Sequence, residues 1–501
     1  MEPLTITIAN ELTALPVLQA ATGAFVQAAG DKSSVARQME LVVEEIITNI
    51  IKYEYLPGRR ERIELTIAID GKLLELVIRF KGIPFDIEYL RQCEQISLED
   101  MLISEGCGIG LHLIRQFSDD VRYRNLGKEG QEIRITRSLS SNETILSRPV
   151  AAEQESEQVA APFNICIRRM LPTEAATISK LAYFAYTYSY IYEHIYDPEQ
   201  VRLLNEDNRL MSYVAVHEDN GAIVGHMAMI PDKWSDMNEF GVAFVNPIYR
   251  RSGCLNALAE HMIGEARKRK CEGVFGTAVS THPYSQKTAV QIGMREAALL
   301  VSRGSPLAMR AIREEAVARE SLFFMVRLFG ETSRGPYYAP RHHRKMIERI
   351  CGNLRVTALF ADDPGEIPSP ECGQLEKETD HYQTGHIFIH SYGKDTLHEV
   401  RAIQCGWRLD RLETIYLYLP LLHPATERLC ASFEETGFFF SGIRHSRGGN
   451  DWLVLQYLNN QRYDYGLLKA ATPLGQELID YVRGCDPISL SENSGITSDR
   501  I

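Results

Sequence analysis

The sequence lacks a long apolar run, a paired cysteine motif and an excess of basic residues, and each absence excludes a class of protein. No apolar run reaches membrane-spanning length, and the first residues show no basic segment followed by an apolar one, so we expect a cytoplasmic protein with no membrane partner. Ten cysteines are scattered from Cys93 to Cys485 without a Cys-x-x-Cys pair, which favours reduced thiols over disulfides or a zinc site. The net charge of −12 comes without a basic patch, which argues against nucleic-acid binding.

The length of the chain sets the number of domains. Since 501 residues are too many for one hydrophobic core, about three domains are expected. A polar run without aromatic residues at 139–162 predicts a linker between a first unit at 1–138 and a second unit that begins at 163. Helical, basic and proline-containing stretches alternate over 304–352, and we interpret them as a helical connector.

Polar residues at helical spacing stand out in the first unit. The pattern at 41–53 predicts a helix on which Glu45 and Asn49 project from one face, one turn apart. A carboxylate and an amide placed in this way can orient a water or hydroxyl and bind a Mg²⁺ ion that bridges nucleotide phosphates. The alternative is a solvated polar face of an amphipathic helix. Glycine motifs follow downstream, at Gly82 and at Gly106, Gly108 and Gly110.

In their order and spacing, these three motifs resemble those of the GHKL ATPases, and specifically the serine kinases that act as bacterial anti-sigma factors. The resemblance covers about residues 1–137. It implies that Glu45 is the catalytic base, that Asn49 is a magnesium ligand and that Gly82 belongs to the adenine-binding motif. It further implies a flexible lid over the phosphates of ATP, an anti-sigma antagonist or sigma factor as partner, and a homodimer. The lid glycines are Gly106, Gly108 and Gly110.

One position departs from that family. The family has an aspartate two residues before the glycine of the adenine motif, and this sequence has Phe80 there. The missing carboxylate removes a charge-assisted hydrogen bond to the adenine amino group, worth roughly 1.5–3 kcal/mol. The resemblance therefore predicts the fold, and it leaves ATP binding and kinase chemistry open.

The segment from Val245 to Leu255 predicts a strand that runs into a glycine-containing turn and then an amphipathic helix. Backbone N–H groups of such a turn converge on one point, and the helix dipole adds positive potential there, which suits a pyrophosphate. A connector without a ligand is the alternative. The turn and the helix start contain Arg250, Arg251, Ser252, Gly253 and Cys254.

The pattern Pro-x-Tyr-Arg-x-x-Gly in this segment resembles the acetyl-CoA loop of the GNAT N-acetyltransferases, although Leu255 replaces the final small residue of that loop. The order of elements over residues 163–303 also matches that fold. The resemblance implies that the backbone of Phe244 and Val245 pairs with the pantetheine arm of acetyl-CoA. It also implies that Arg250 through Leu255 hold the pyrophosphate.

Direct acetyl transfer to an amine needs a base, a polarised thioester carbonyl and a proton donor for the leaving thiolate. Glu239, just before the central strand, is the first candidate base, with His226 on the neighbouring strand behind it. Ala289 occupies the place of the family's frequent tyrosine acid, so Tyr284 at the start of the same helix is the candidate donor. Purely structural roles are the alternative for all three. The tyrosine-rich run at 183–192 either lines the pocket of the unidentified amine acceptor or packs in a core.

An internal repeat extends the comparison to the C-terminal part. The pattern from His282 to Met294 is echoed from His423 to Phe439, and a strand pattern precedes each copy. Residues 353–460 therefore predict a second GNAT-like domain, which we interpret as degenerate because it lacks the acetyl-CoA loop. Residues 461–501 form a C-terminal helix and tail.

The expected fold class is thus a multidomain α+β and α/β protein, in which a GHKL α/β sandwich is followed by two GNAT folds. The leading hypothesis is a bacterial signalling protein that transfers an acetyl group from acetyl-CoA to an amine, while the first domain binds a partner or nucleotide. A second hypothesis is a partner-switching serine kinase whose GNAT module senses CoA. A third is a binding scaffold without catalysis.

Overall fold

A computed structural model describes most of the chain. The described residues are 2–28, 33–56, 58–71, 73–84, 109–139, 164–188, 190, 192–249, 252–304, 319–330, 332–361, 372–380, 384–445 and 451–489. They divide into two compact units. The N-terminal unit combines residues 1–161, 170–206 and 246–248, and the C-terminal unit combines 162–169, 207–245 and 249–501.

The N-terminal unit contains a five-stranded antiparallel sheet in the order β1-β2-β3-β5-β4. Alternate residues of β2, including Ile63, Leu65 and Ile67, are fully buried, because one face of the sheet packs against helices. The strands are β1 (Leu4–Ala9), β2 (Arg62–Asp70), β3 (Leu73–Phe80), β4 (Asp120–Asn125) and β5 (Gln131–Ser138). The helices are α1 (Leu15–Ala28), α2 (Ser33–Tyr53) and α3 (Ile109–Gln116).

The N-terminal unit also includes a helical segment that the sequence assigns to the GNAT region. It consists of α4 (Ala175–Tyr186), a 3₁₀ turn (Glu193–Tyr196) and α5 (Pro198–Glu206). Tyr183 and Tyr196 are among the largest fully buried side chains of the protein. Tyr183 of the tyrosine-rich run therefore packs within this unit, together with Tyr196, which lies four residues beyond the run.

The C-terminal unit is built on a twelve-stranded mixed sheet in the order β15-β16-β17-β19-β18-β11-β12-β10-β9-β8-β7-β6. Its first-half strands are β6 (Ile165–Arg169), β7 (Met211–His217), β8 (Ile223–Pro231), β9 (Met237–Val245), β10 (Gly273–Val279), β11 (Arg295–Gly304) and β12 (Glu320–Leu328). The second-half strands are β15 (Gln374–Asp380), β16 (Thr384–Ser391), β17 (Thr414–Pro420), β18 (Phe439–Arg444) and β19 (Trp452–Leu458). A separate parallel pair is formed by β13 (Thr332–Tyr337) and β14 (Val356–Phe360).

Helices pack on this sheet and complete a continuous apolar core. They are α6 (Cys254–Lys268), α7 (Tyr284–Gln291), α8 (Arg344–Asn353), α9 (Thr396–Leu409), α10 (Ala425–Glu434) and α11 (Pro473–Cys485). The two halves share one pattern of strand pairing. The first half has the order β8-β9-β10-β12-β11 and the second half has the order β15-β16-β17-β19-β18. In both, the successive pairs are antiparallel, parallel, antiparallel and antiparallel. The halves meet where Ala298 of β11 pairs with Gly442 of β18.

The prediction that residues 304–352 form a helical connector is wrong, because this region also contains strands. Besides α8, it contains β12, which lies in the sheet between β10 and β11, and β13. The first seven residues of β12 are buried, because both faces of this strand are covered. A short continuous apolar run of this kind cannot be distinguished from a buried helix by its periodicity, which explains the error.

Candidate active site

In the N-terminal unit, α2 places the two expected nucleotide-site residues together. The Nδ2 of Asn49 donates to the Oε1 of Glu45 over 3.2 Å, and both residues are partly buried. The one-turn spacing accounts for this contact. Of the expected lid, Gly106 and Gly108 lie outside the described residues. The backbone of Gly110 belongs to α3, but its surroundings are not among those described.

Phe80 is a core residue. It is 3% exposed at the end of β3, and its ring meets that of Tyr55 edge to face, with centroids 6.2 Å apart. Gly82 follows at a point of close approach, where a β-carbon would lie 2.6 Å from the carbonyl oxygen of Glu54 and 2.8 Å from the Phe80 ring. The position that would recognise adenine therefore holds a packed aromatic ring, and the glycine is needed for backbone packing.

Tyr188 contacts this same motif. Its hydroxyl donates to the carbonyl oxygen of Gly82 over 2.5 Å and accepts from the Nε2 of Gln131 over 2.9 Å. The Tyr188 ring packs against the rings of Tyr183 and Tyr196, with centroids 5.2 Å and 4.9 Å away. The sequence analysis did not predict that the tyrosine run would meet the glycine motif, because the two are 106 residues apart.

Glu54 lies beside this contact. Its carbonyl oxygen accepts from the backbone N–H of Ile83 over 2.7 Å. Burial raises the pKa of the Glu54 carboxyl to about 7, and the positive charge of Lys180 lowers it only in part. Near neutral pH this group is therefore divided between its protonated and ionised forms.

In the C-terminal unit, the parallel strands β9 and β10 part at the level of Glu239. Their pairing runs from Met237 with Gly273 to Glu239 with Phe275, whereas β9 continues to Val245. Past this level β9 is irregular. Its register with β8 shifts between the pair of His226 with Phe244 and the pair of Ala228 with Gly241, and Val242, which lies between them on β9, has a φ of +52°. A bulge of this kind bends a strand and strengthens its twist. The pairing of β9 with β10 therefore ends at Glu239, and the strands separate beyond Phe240, whose carbonyl oxygen still lies 2.8 Å from where a β-carbon on Gly276 would stand.

His226 holds the bulge from the adjacent strand. It is fully buried, its Nδ1 lies 2.7 Å from the carbonyl oxygen of Val242, and its ring stacks on Phe244 with centroids 4.8 Å apart. Because a carbonyl oxygen only accepts, the Nδ1 carries the proton. Burial lowers the pKa of His226 to about 4, so the ring is neutral near pH 7. Among the described residues, its Nε2 has no hydrogen-bond partner.

The expected pyrophosphate loop leads into α6. Gly253 precedes the helix with a φ of +81°, a conformation that glycine adopts without strain, and its own position supplies no side chain to cap the helix. A β-carbon on Gly253 would meet nothing within 4 Å, so space is open in front of the turn. Ser252 is exposed and Leu255 is partly buried, while Arg250 and Arg251 lie outside the described residues.

Cys254 faces the core rather than the turn. It is 2% exposed, its Sγ lies 2.5 Å from where a β-carbon on Gly225 would stand, and burial raises the pKa of its thiol to about 12. Phe244 and Val245 are likewise buried, at 2% and 8% exposure. Because the side chains of Phe244, Val245 and Cys254 are buried, only the backbone atoms of these residues can contact a ligand.

Tyr284 begins α7 and is 62% exposed. The register of Glu239 with Phe275 puts the end of β10 at about the level of the bulge in β9. Glu239 is three residues before Val242, which is about 10 Å along the strand. Glu239 thus lies at the last pair of the two strands, and Tyr284 follows the end of β10 by five residues, at the start of α7.

The corresponding strands of the second half stay paired over a longer stretch. There β16 and β17 stay paired over five residues, from Thr384 with Thr414 to Phe388 with Tyr418. Trp234 stacks on Phe388 with centroids 4.0 Å apart, and Trp452 packs against both rings. An aromatic cluster thus covers β16 at the last pair that it forms with β17.

Two family models match the chain. Residues 8–137 match the histidine kinase-like ATPase domain, and residues 177–294 match the acetyltransferase (GNAT) family. Among curated proteins, the anti-sigma F factors of Bacillus velezensis and Bacillus subtilis are 27% and 25% identical over 109 residues, which is 22% of this chain and 73% of each relative.

Solved structures of acetyltransferases are also similar. The ribosomal-protein-S18-alanine N-acetyltransferase from Escherichia coli has 17% identity and a TM-score of 0.26, covering 32% of this chain and 92% of that one. A spermidine/spermine N-acetyltransferase from Vibrio cholerae has 15% identity and a TM-score of 0.27, covering 33% and 95%. Within the described residues, every helix is too short or too polar to cross a membrane.

Proposed function

Because residues 8–137 form a histidine kinase-like ATPase domain similar to anti-sigma factors and residues 177–294 form a GNAT domain, we propose that this signalling protein transfers an acetyl group from acetyl-CoA to an amine. One observation carries the proposal. The parallel strands β9 and β10 part beyond Glu239, and β9 then leads toward a helix that begins after Gly253, where a β-carbon would meet no described atom within 4 Å.

The start of α6 suits the pyrophosphate of acetyl-CoA. Gly253 provides the left-handed turn, and the first turn of α6 has no acidic residue to oppose an anion. Ser252, Arg250 and Arg251 complete the proposed pyrophosphate site. The backbone of Phe244 and Val245 receives the pantetheine arm along the edge of β9 that has left β10.

The proposed reaction is direct transfer. The amine nitrogen bonds to the thioester carbonyl carbon, and its proton passes to Glu239 through a water molecule. As the C–S bond breaks, the thiolate takes a proton from Tyr284, which gives an amide and the CoA thiol. His226 positions the bulge through the carbonyl oxygen of Val242 and stays neutral throughout.

The decisive experiment measures acetyl-CoA binding and turnover against a panel of amines. We expect Glu239→Gln to lower kcat by about 10²–10⁴-fold while KM for acetyl-CoA changes little. Gly253→Glu is expected to abolish acetyl-CoA binding, because it adds a negative charge at the pyrophosphate turn. Glu260→Gln and Gly264→Glu, on α6, are the matched controls. Unchanged binding in Gly253→Glu would overturn the proposal.

For the second half, we propose a degenerate GNAT fold that stabilises the first half and does not bind CoA. The shared strand order and the aromatic cluster of Trp234, Phe388 and Trp452 support this role. A single acetyl-CoA site per chain in calorimetry would agree with it, and two sites would contradict it.

For the N-terminal unit, we propose recognition of an anti-sigma antagonist or a sigma factor, as the names of the curated relatives suggest. Glu45 and Asn49 fit a Mg²⁺-nucleotide site, but Phe80 supplies no carboxylate for adenine. Because the magnesium ligands are present but the adenine carboxylate is missing, we expect weak ATP binding, and we assign no kinase step to these residues.

Calorimetric titration with Mg²⁺-ATP tests this assignment. We expect heats near background for the natural chain and no change in Asn49→Ala. Tight binding that Asn49→Ala abolishes would restore the serine-kinase hypothesis, with Glu45 as its base and Asn49 as its metal ligand.

A further inference from the structure

Four side chains with metal-binding atoms meet in the C-terminal unit, away from the acetyl-CoA site. His342 and His343 immediately precede α8, and Cys430 and Glu434 lie one turn apart on α10. One ligand atom from each of the four lies within 4.8 Å of the other three. We call this group the His-Cys-Glu cluster.

The cluster is closed on most sides and open on one. Cys430 is fully buried, and the side chains of His343 and Glu434 are 2% and 24% exposed. The His342 side chain is 50% exposed, so it alone of the four lies at the surface. An ion from solvent can therefore reach the cluster past one flexible ligand.

A neighbouring tyrosine orients His343. The hydroxyl of Tyr481 donates to the carbonyl oxygen of His342 over 3.1 Å, so its single hydrogen is engaged there. The Nδ1 of His343, 2.8 Å from that hydroxyl, then donates to it. In a neutral imidazole this fixes the Nε2 as the atom with the free lone pair. Metal-bound histidines are held in place by a second hydrogen bond of this kind.

The contacts of Glu434 require a positive species. The Nε2 atoms of His342 and His343 lie 2.8 Å and 2.6 Å from its two carboxylate oxygens. The lone pair of a neutral His343 would repel an ionised carboxylate oxygen at that distance, so the contact holds a proton, which a metal ion would displace as the two atoms move apart. Once Cys430 has lost its thiol proton to a bound metal, its sulfur and the carboxylate carry two negative charges, which one divalent cation neutralises.

We propose that His342, His343, Cys430 and Glu434 bind one zinc ion. Two imidazole nitrogens, a thiolate and a carboxylate form a ligand set of borderline softness, which suits four-coordinate Zn²⁺. In a tetrahedral zinc site the ligand atoms are about 3.5 Å apart. The two histidine–glutamate contacts of 2.6 Å and 2.8 Å must therefore lengthen, and the widest separation, at most 4.8 Å, must shorten, each by about 1 Å. The thiol proton of Cys430 leaves to solvent as the sulfur–zinc bond forms.

With four protein ligands the site has no open position, so its role is structural. It joins the start of α8 to α10, two segments about 90 residues apart in the chain. Zinc binding therefore stabilises the packing of these two helices.

The first test is the metal content of the full chain, purified without chelator and measured by mass spectrometry. We expect about one zinc per chain for the natural protein and below about a tenth for Cys430→Ser. Cys351→Ser is the matched control, because Cys351 is a buried free thiol on α8 outside the cluster. Equal zinc loss in both variants would overturn the proposal.

A second measurement decides the matter if Cys430→Ser fails to fold. His342→Gln changes a half-exposed residue and should weaken Zn²⁺ binding at least about tenfold without loss of structure. Titration with Co²⁺ should give the sulfur-to-cobalt charge-transfer band of a thiolate-ligated tetrahedral site. A natural chain that binds neither Zn²⁺ nor Co²⁺ at micromolar concentration would refute the site.

Discussion

The elevated pKa of Glu54 predicts that ionisation of this carboxyl destabilises the N-terminal unit. The unfolded chain ionises this group near pH 4.5, whereas the folded chain keeps the proton up to about pH 7. Between these values the unfolded state binds fewer protons, so the free energy of unfolding falls as pH rises. The full difference is at most about 3 kcal/mol, present as extra stability below pH 4.5 and lost above pH 7.

Replacing Glu54 by glutamine removes this titration while keeping the size of the side chain. We expect Glu54→Gln to be more stable than the natural chain by up to about 3 kcal/mol at pH 8 and by less than about 1 kcal/mol at pH 5. Hydrogen exchange of peptides from β3 and β5 measures this locally, and comparison at a single pH cancels the intrinsic exchange rates. The expected gain in protection is on the order of 100-fold at pH 8.

The control is Glu129→Gln, since the Glu129 side chain is 80% exposed and its ion pair with Lys81 is at the surface. Its protection should match that of the natural chain at both pH values. A gain in Glu54→Gln that is as large at pH 5 as at pH 8 would refute the reasoning, because ionisation would not be its cause.

Two further predictions concern the C-terminal unit. Gly442→Ala should lower its free energy of unfolding by about 2–3 kcal/mol, because a β-carbon there would lie 2.4 Å from the Cα of Ala298. Gly406→Ala, in open space on α9, should be neutral or slightly stabilising, and tryptophan fluorescence in urea compares the two variants. His226→Phe should raise KM for acetyl-CoA by releasing the Val242 carbonyl, and it should leave the shape of the pH–rate profile between pH 5 and 8 unchanged, since His226 is neutral there. A lost or shifted limb in that profile would contradict the positioning role.

Local patterns predicted much of the secondary structure. The helix expected at 41–53 lies within α2, and the strand, glycine turn and helix expected from Val245 to Leu255 appear as the end of β9, the turn at Gly253 and the start of α6. The ATPase and GNAT resemblances are confirmed by the two family models. The proposed roles of Glu239, Tyr284 and the pyrophosphate turn stay predictions.

The sequence by itself determined which residues share a face of a helix or strand, because that depends only on the spacing of neighbouring residues. Glu45 and Asn49 therefore met as expected on α2. Tertiary structure decided which distant segments meet. The hydroxyl of Tyr188 reaches Gly82, and His343 reaches Glu434, through packing of segments that are separated by 106 and 91 residues. No periodicity records such encounters, since they depend on how complete layers fit together rather than on local spacing.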